Sequence, residues 1–518
     1  MSTARVRVFP GAYRDSLLLL SATRAMYDGE GVSWAAAVMA TPANVEDVAG
    51  HGISAADLDG ADANALVLAV QAEDSPAAEQ ALQRGHAALF AGEGRSSADP
   101  GQAEPGRADP RSIGEATARL PGANVAVVSV PGTYAAIAAH QALTAGLDVL
   151  LFSDNVPLAD EVILKDRASR LGKLVMGPGA GTAMLGGVGL GFANVVRAGP
   201  VGVVAAAGTG AQEVMTLLDR WGIGVSSVVG VGGRDLSGAV GGRMAADAVR
   251  ALDNDPGTEV ILLVSKPPDP AAAQAAITAS RRTPVIAACL GMAAADGLPA
   301  DTPFATTLEE GALLVARRLG APVPDLGAGL AGPVEAAVTR TGAARTAVRG
   351  FFTGGTLCYE AQIVLTKRLG PVYSNIPLRG DLGLPAPPGA HVCLDLGEEE
   401  YTRGRPHPMI DPAARREIMQ DHARGGDVAA VLLDVVLGYG SHPDPAGEIA
   451  ATCADIVAGG AAVVAYVLGT QGDPQDSAGQ RRILRDAGAI VTQTAAQAAR
   501  AAAAIAARQP DLAAADPA

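Results

Sequence analysis

The feature of this chain that most constrains its fold is a regular alternation of short apolar runs with amphipathic segments, which begins near residue 114. Apolar runs at Val125–Val130, Val149–Phe152 and Leu174–Met176 are separated by helical patterns over Tyr134–Ala145 and Leu158–Leu171. Alternation of this kind is typical of βαβ units, in which helices cover a parallel sheet. The sequence therefore predicts an α/β protein.

The same alternation returns in two later stretches of the chain. Its further apolar runs are Gly202–Ala206, Val225–Val231, Val260–Val264 and Val285–Leu290 in the first stretch, and His391–Leu394, Ala430–Val436, Ala461–Leu468 and Ala489–Val491 in the second. A helix over Leu308–Leu319 closes the first stretch, and a Pro- and Gly-rich break follows at Pro322–Pro333. Because the 518 residues are several times the ~150 residues of an ordinary domain, we expect three or four domains.

A smaller unit precedes the alternation. Apolar strands over residues 5–9, 32–39 and 64–70, with helices beginning near Asp15 and Ser75, predict a small N-terminal α/β domain. From Gly92 to about Ser112 the sequence turns to Gly, Pro, Ser, Asp and Arg without periodicity. We predict a linker or a mobile loop there.

Composition argues against several classes of function. A net charge of −15 and an aromatic content of 3% do not suit a nucleic-acid-binding surface. No apolar run approaches the ~20 residues of a membrane span, and the N-terminus lacks a signal-peptide pattern, so we expect a soluble, cytoplasmic protein without membrane contact. The cysteines at positions 289, 358, 393 and 453 are too far apart for a metal motif. They predict buried free thiols, and no metal site is expected.

The strongest candidate site is a pair of similar turns, each joining an apolar strand to a helix. The first turn is Gly208-Thr209-Gly210 and the second is Gly354-Gly355-Thr356. Unpaired N–H groups and the helix dipole make a helix N-terminus attractive to anions, so we predict that both turns bind one phosphate. The threonines have an alternative role as caps of their own helices. Glu213 and Glu360, which follow at equivalent positions, are either further site residues or ordinary glutamates favoured by the dipole.

Three other positions are predicted to add charge to the site. Arg234 and Asp235 follow a Gly-Gly pair at the end of a predicted strand, where ligands of parallel sheets usually bind. The alternative is a buried Arg–Asp pair. Lys266 ends another predicted strand and precedes two prolines, a frame that could hold its ammonium towards a carboxylate. A solvent-exposed lysine is the alternative.

His407 is the candidate acid, base or hydrogen-bond donor. It lies between Pro406 and Pro408, which hold the backbone extended and fix the position of the imidazole. Arg405, two residues before it, is predicted to supply positive charge. A histidine bonded to backbone and a surface arginine are the alternatives.

Several of these segments resemble the α subunit of succinyl-CoA synthetase. Phe152-Ser153-Asp154-Asn155 and Met176-Gly177-Pro178 resemble the second half of its CoA-binding domain, and the stretches Gly208–Glu213 and Val231–Asp235 resemble the start of its flavodoxin-like domain. In that enzyme one helix from each subunit points its N-terminus at a phosphorylated histidine. The resemblance makes Asn155 a further possible site residue and CoA a possible ligand.

Nearly the whole chain resembles the FdrA family. The strings that carry this resemblance, in the order of the family, are Thr41–Asn44, Phe152–Asn155, Gly232–Ser237, Val264–Pro268, Thr353–Thr356 and Gly404–Pro412. The resemblance implies a small N-terminal α/β domain (residues 1–91), a linker (92–113) and a Rossmann-like CoA-binding-type domain (114–198). Two flavodoxin-like domains of the succinyl-CoA ligase type follow at 199–320 and 345–518, joined by a linker at 321–344.

Two departures from succinyl-CoA synthetase bear on mechanism. Its phosphorylated histidine lies in a Gly-His-Ala-Gly-Ala loop, whereas the residues after Leu290-Gly291 here read Met-Ala-Ala-Ala-Asp-Gly. The chain also has no room for the ~200 residues of an ATP-grasp region. We therefore expect neither a phosphohistidine relay nor ATP-driven CoA ligation by this chain alone.

The resemblance to FdrA proteins implies a transferase. Such a subunit moves a carbamoyl group between carbamoyl phosphate and oxamate, or a similar small amide, within an oligomeric complex with other subunits. Carbamoyl phosphate or phosphate is then the substrate, and no cofactor is assigned. Two alternatives stay open: an ADP-forming acyl-CoA synthetase subunit that works with a separate ATP-grasp chain, and a non-catalytic scaffold subunit.

Overall fold

The computed structural model describes residues 3–12, 14, 16–58, 61–62, 65–90, 110–292, 297–323, 325–327, 329–402, 406–423 and 425–514. Contacts divide the chain into two compact units. One unit comprises residues 1–116 with 402–406, and the other comprises residues 117–401 with 407–518. Among the described residues, every helix is too short or too polar to cross a membrane.

The first unit is built on an antiparallel sheet. Its elements are β1 (Thr3–Phe9), α1 (Ser16–Tyr27), β2 (Val32–Met39), α2 (Pro42–Gly50), a 3-10 turn (Ala55–Leu58), β3 (Leu66–Ala72) and α3 (Ser75–Phe90). Strand β3 lies between β1 and β2. Leu66, Leu68 and Val70 pack with α1 and α3 on one face, and Val67 and Ala69 pack on the other, so both faces of β3 are buried.

The strands predicted at residues 5–9, 32–39 and 64–70 are confirmed, but α2 was not predicted. It begins after Thr41, whose hydroxyl accepts a hydrogen bond from Asn44 N, with Pro42 in the first turn. Thr-Pro was therefore a helix start signal that sequence analysis overlooked. The predicted linker at 92–113 lies outside the described residues up to position 109, and α4 spans Ile113–Arg119.

The second unit opens with a parallel sheet of order β4-β5-β6. Its elements are β4 (Val125–Val128), α5 (Gly132–Thr144), β5 (Asp148–Leu151), α6 (Leu158–Leu171) and β6 (Val175–Met176). Each strand and helix predicted in this stretch is present within a few residues. The predicted βαβ pattern is confirmed here.

The next sheet has the order β13-β12-β11-β9-β10-β7-β8 in the described chain. Its elements are β7 (Thr182–Leu185), β8 (Val188–Gly191), β9 (Ala198–Ala205), α7 (Gly208–Arg220), β10 (Val225–Gly230), α8 (Arg243–Asn254), β11 (Val260–Ser265), α9 (Pro270–Ile277), β12 (Val285–Cys289), β13 (Phe304–Ala305) and α10 (Leu308–Arg318). The hairpin β7–β8 was not predicted, because its glycine-rich strands are short. It lies within the range 114–198 assigned to the CoA-binding-type domain, but β7 pairs antiparallel with β10 of the following sheet.

The last sheet is parallel, with the order β15-β16-β14-β17-β18-β19 in the described chain. Its elements are β14 (Ala347–Phe352), α12 (Gly355–Leu369), β15 (Val372–Ser374), β16 (His391–Asp395), α13 (Glu399–Thr402), α14 (Ala413–Ala423), β17 (Val428–Val436), α15 (Pro445–Ala458), β18 (Ala462–Leu468), α16 (Ser477–Asp486), β19 (Ile490–Thr492) and α17 (Ala495–Ala507), with 3-10 turns at Gly380–Leu382 and Pro510–Ala513. A further helix, α11 (Ala331–Arg340), lies inside the predicted linker 321–344. That stretch is therefore a structured connection, stabilised by burial of Val334 and Ala337.

The two larger sheets share one hydrophobic core. Residues of β9 and α7, such as Val203 and Leu217, belong to the same buried cluster as Leu357 of α12 and Val464 of β18. Helix α17, built mostly of alanine, is buried on all sides and packs against α12. Small side chains allow this close approach, and the shared core fixes α7 and α12 relative to each other.

Candidate functional site

The first turns of α7 and α12 meet at a cavity of about 420 Å³. Thr209 packs against Gly354, where a Cβ atom would lie 2.8 Å from Thr209 Oγ1. Thr356 packs against Gly210, where a Cβ atom would lie 3.0 Å from Thr356 Cγ2. A larger residue at either glycine would separate the two turns. The structure thus brings both predicted phosphate-binding turns to one place.

The cavity is lined by half of the residues that sequence analysis singled out. These are Gly208, Thr209, Lys266, Gly354, Gly355, Thr356 and His407, while Gly210 lies just behind them. Residues that were not predicted also line it, among them Asp154, Gln212, Thr353, Asp395 and Gly397.

Asp434 holds the turn that opens α12. Its carboxylate, at the end region of β17, accepts hydrogen bonds from Thr353 N at 2.9 Å, Thr353 Oγ1 at 3.0 Å and Gly354 N at 3.1 Å. Arg415 forms a buried ion pair with Asp434 at 3.2 Å and donates to Phe351 O at 2.7 Å. Burial raises the pKa of Asp434, and the Arg415 guanidinium opposes that shift. This pair fixes the strand-to-helix turn without entering the cavity.

Both helices present unused donors to the cavity. Within the described chain, the amides of Gly208, Thr209 and Gly210 donate no hydrogen bond, and neither do those of Gly355 and Thr356. Such first-turn N–H groups, with the dipole behind them, attract anions.

The hydroxyls of Thr209 and Thr356 are further unused donors. Thr209 is 8% exposed and Thr356 is 3% exposed, yet neither hydroxyl has a hydrogen-bond partner among the described residues. The cap residues of the two helices are Ala207 and Gly354, and neither helix has a side-chain cap. The alternative role of the threonines as caps is therefore not what the structure shows. Hydroxyls on a cavity wall without protein partners are free to bond to a ligand that enters the cavity.

Lys266 supplies a cation at the same place. It follows β11 directly, and its Nζ lies 3.4 Å from the position that a Cβ atom on Gly355 would occupy. In the described part of the chain, Nζ forms no hydrogen bond or ion pair, and the ammonium acts on Asp395 through its charge alone. The side chain is half-buried, so the alternative of a fully solvent-exposed lysine does not hold.

Asp395 is the main site residue that sequence analysis missed. It is the last residue of β16, is 3% exposed, and accepts a hydrogen bond at Oδ1 from Gly397 N at 3.0 Å. Its Cγ lies 3.2 Å from the Cβ position of Gly355. Burial raises the pKa of Asp395 to about 7, with the Lys266 ammonium acting in the opposite direction. An acidic residue at the carboxyl end of a predicted parallel strand was the signal that could have identified it.

His407 faces Asp395 and Gly397. Its Nδ1 accepts a hydrogen bond from Met409 N at 3.2 Å, which leaves the proton of the neutral ring on Nε2. Burial lowers the pKa of His407 to about 4, so the ring is neutral near pH 7. Nδ1 is thus bonded to backbone, while Nε2–H remains available. Arg405 lies outside the described residues.

Glu213 and Glu360 do not line the cavity. They lie in the core below it, where Glu360 Oε1 accepts a hydrogen bond from Leu308 N at 2.6 Å and Glu213 contacts Tyr466 and Ala495 N. Burial raises the pKa of Glu213 to about 7, and burial together with Glu213 raises that of Glu360 well above its usual value.

Arg234 and Asp235 follow two glycines that line the cavity, but they do not line it themselves; Arg234 is exposed and Asp235 is buried. Arg234 Nε forms an ion pair with Glu161 Oε2 at 2.8 Å, and Asp235 Oδ1 accepts a hydrogen bond from Lys165 Nζ at 2.9 Å. Both therefore pair with α6, while the preceding glycines line the cavity. Asn155 has a left-handed backbone, with φ of 57°, next to the lining residue Asp154.

Comparison with known proteins gives two domain matches. Residues 351–505 match a family described as CoA-ligase, and residues 1–105 match one described as AllF, heavy metal-associated domain. The second range contains no cysteine, so it lacks the thiolates that soft metals prefer. The residues of this chain therefore do not fit a thiolate metal site in that domain.

Two relatives and one solved structure are similar to this chain. YahF of Escherichia coli, an uncharacterized protein, is 37% identical over 504 residues, covering 95% of this chain and 96% of YahF. The succinate–CoA ligase α subunit of Methanothermobacter thermautotrophicus is 29% identical over 28% of this chain and 48% of that subunit, so the match spans about half of it. A dinucleotide-forming acetyl-coenzyme A synthetase of Ca. Korarchaeum cryptofilum has 16% sequence identity over 75% of this chain and 84% of its own, with a TM-score of 0.31.

Residues 351–505 thus form a CoA-ligase domain, part of the chain is similar to succinyl-CoA ligase α subunits, and the predicted α/β fold class is confirmed. The chain belongs to the family of YahF.

Proposed function

We propose that this chain is a CoA-ligase-like enzyme subunit that binds an acyl phosphate, or phosphate itself, in the cavity between α7 and α12. The observation that carries the proposal is the number of hydrogen-bond donors without protein partners that face this cavity. The free first-turn amides of both helices, the unpaired hydroxyls of Thr209 and Thr356, and the Lys266 ammonium face one volume of about 420 Å³. A phosphoryl dianion has the charge and the acceptors to satisfy them.

The phosphoryl group stays on the substrate in this proposal. The loop after Gly291 contains no histidine in the sequence, so it lacks the residue that is phosphorylated in succinyl-CoA synthetase. A separate nucleotide-binding chain would make the acyl phosphate, and this subunit would transfer its acyl group to CoA. The names of the succinate–CoA ligase subunits support this choice of acceptor. We also propose a cytoplasmic complex with that partner chain.

A second candidate is carbamoyl transfer between carbamoyl phosphate and oxamate. The missing histidine favours it, because carbamoyl phosphate is already an activated acyl phosphate and needs no phosphoenzyme. Motifs that resemble the FdrA family also favour it. Both candidates use the same phosphate site and differ in the acceptor.

Binding to the full-length chain tests the shared part of the proposal. Inorganic phosphate, acetyl phosphate and carbamoyl phosphate are titrated by calorimetry into the wild type and into Thr209→Val/Thr356→Val. We expect the double variant to bind about 10-fold more weakly or worse, because two charge-assisted hydrogen bonds are lost. Thr339→Val, which removes a surface hydroxyl bonded to Glu335 O, serves as the matched control. Equal binding by all three proteins, or no binding by the wild type, would contradict the proposal.

The acceptor is then tested with CoA and with oxamate, in the presence of candidate partner subunits. Formation of an acyl-CoA from acetyl phosphate supports the ligase-type reaction. Formation of carbamoyl oxamate from carbamoyl phosphate supports the second candidate.

A further inference from the structure

We infer that Asp395 is the acid–base catalyst of the transfer, and that the acceptor is a neutral nucleophile whose attacking atom carries a proton, either a thiol or an amide nitrogen. This inference rests on the proposed acyl phosphate site. In it, the α7 side of the cavity binds the phosphoryl group, and the α12 side holds the reacting carbonyl group and the acceptor.

The carboxyl group of Asp395 is held at the N-terminus of α12. Its backbone is fixed by Asn375, which donates to Asp395 O at 2.9 Å and accepts from Asp395 N at 2.9 Å. Oδ2 contacts the position that a Cβ atom on Gly355 would occupy, and Oδ1 is held by Gly397 N. Only glycine at position 355 lets the carboxyl reach this point on the cavity wall. A buried carboxyl group held on the wall of a polar cavity is placed to exchange protons with a bound molecule.

The first turn of α7 has no such carboxyl neighbour. The nearest atom in the described chain to a Cβ position on Gly208 is Thr182 Oγ1, at 3.8 Å. A phosphoryl dianion is repelled by a carboxylate, so within this cavity it is best bound towards the first turn of α7 and away from Asp395. The reacting carbonyl carbon and the acceptor then lie on the α12 side, next to Asp395. The two similar turns are therefore not equivalent.

The chemical step balances with Asp395 as the only proton carrier. The carboxylate takes the proton from the acceptor as the lone pair of sulfur or nitrogen attacks the carbonyl carbon. The bond between that carbon and the bridging phosphate oxygen then breaks, and its electron pair leaves with the oxygen. Asp395 returns its proton to that oxygen, which gives hydrogen phosphate and restores the carboxylate.

Neighbouring groups suit this task. Nε2–H of neutral His407 lies on the same side of the cavity as Asp395. Both groups contact the Cβ position of Gly397, His407 Nε2 at 2.6 Å and Asp395 Oδ1 at 3.2 Å. It can donate to the carbonyl oxygen as negative charge develops there. The pKa of Asp395 is raised by burial and by Glu398 and Asp434, and lowered by Lys266 and Gly397 N–H, to about 7. A carboxyl group with this pKa both accepts and returns a proton near neutral pH.

Calorimetry on the full-length chain tests the inference without knowledge of the acceptor. Inorganic phosphate is titrated at about pH 8 in two buffers of different ionisation enthalpy, which reveals protons taken up on binding. We expect the wild type to take up a proton, because the negative charge of a dianion bound in the same cavity raises the pKa of Asp395 and favours its neutral form. Asp395→Asn should bind phosphate at least as tightly and take up none. Asp381→Asn, which removes an exposed carboxylate paired with Arg379, is the matched control and should behave as wild type.

Turnover supplies the second readout. With whichever acceptor supports transfer, Asp395→Asn should lower kcat about 100-fold or more while phosphate binding is retained. Unchanged proton uptake in Asp395→Asn, or transfer by it at the wild-type rate, would overturn the inference and leave the phosphate site standing. Failure of the wild type to bind phosphate would instead overturn the proposed function.

Discussion

The Nε2 atom of His407 lies 2.6 Å from the position that a Cβ atom on Gly397 would occupy. Gly397 follows Asp395 at the end of β16, so the absence of a side chain there lets the imidazole reach the cavity wall beside the carboxyl group. Gly397 has no left-handed backbone angle in the structure, so an alanine would be strained only by close contacts of its Cβ atom. The shortest of these is with His407, and those with Asp395 Oδ1 at 3.2 Å and Thr353 O at 3.3 Å are longer.

Gly397→Ala should therefore displace His407 with little effect on folding. We expect turnover to fall about 10-fold or more, because a hydrogen-bond donor to the developing oxyanion is moved away. The measurement is kcat in the transfer assay, with thermal unfolding as the check on stability. Gly383→Ala is the control, since a Cβ atom there would meet only Gly380 O at 3.9 Å. Wild-type kcat in Gly397→Ala would exclude this role for His407.

Lys266→Met should weaken binding of inorganic phosphate by about 10- to 100-fold, because a charge-assisted contact to a dianion is lost. The salt dependence of binding should also become shallower. Calorimetry at two ionic strengths measures both effects. Lys173→Met removes a cation that lies 3.8 Å from Asp148, away from the cavity, and should leave binding unchanged. If the two variants bind phosphate alike, Lys266 does not contact it.

Much of the fold could be predicted because its strands and helices follow from local sequence patterns. Apolar runs fix the strands of the parallel sheets, and helical periodicity fixes α5 and α6. The hairpin β7–β8 and helix α11 escaped prediction because their glycines and prolines are typical of loops. These elements form because tertiary burial, as at Val334, outweighs weak local preference.

The site also contains residues that could be predicted from local sequence and residues that could not. The glycine turns and the proline-flanked histidine are local sequence signals, and the structure shows that these residues line the cavity. The contact of Asp395 with Gly355 joins positions in different βα units, so it depends on the order of strands in the sheet. The placement of Glu360 in the core depends on the packing of α12 against α17. Neither relationship could be deduced from spacing along the chain.

The ion pair of Arg415 with Asp434 predicts a strong effect on stability. Arg415→Met leaves a buried carboxylate without its cation, and we expect the free energy of unfolding to fall by about 3–5 kcal/mol. The double variant Arg415→Met/Asp434→Asn should lose less than Arg415→Met alone, because the uncompensated charge is gone. Urea unfolding of wild type, both single variants and the double variant measures this coupling. Strictly additive losses would show that the pair is not coupled.

The buried Glu213 predicts how stability depends on pH. Its pKa is about 7 in the folded chain against a usual value of 4.5, so the folded state keeps a proton that the unfolded state has released. The contribution of Glu213 to the free energy of unfolding is fully present below pH 4.5 and declines as the pH rises from there through 7. Above that pH the free energy of unfolding stays about 3 kcal/mol lower. Glu213→Gln removes this dependence, so the variant should gain stability over wild type as pH rises from about 5 to about 8. Urea unfolding at both pH values tests this, with the exposed Glu335→Gln as control. An equal pH dependence in Glu213→Gln and wild type would mean that Glu213 is ionised in the folded core.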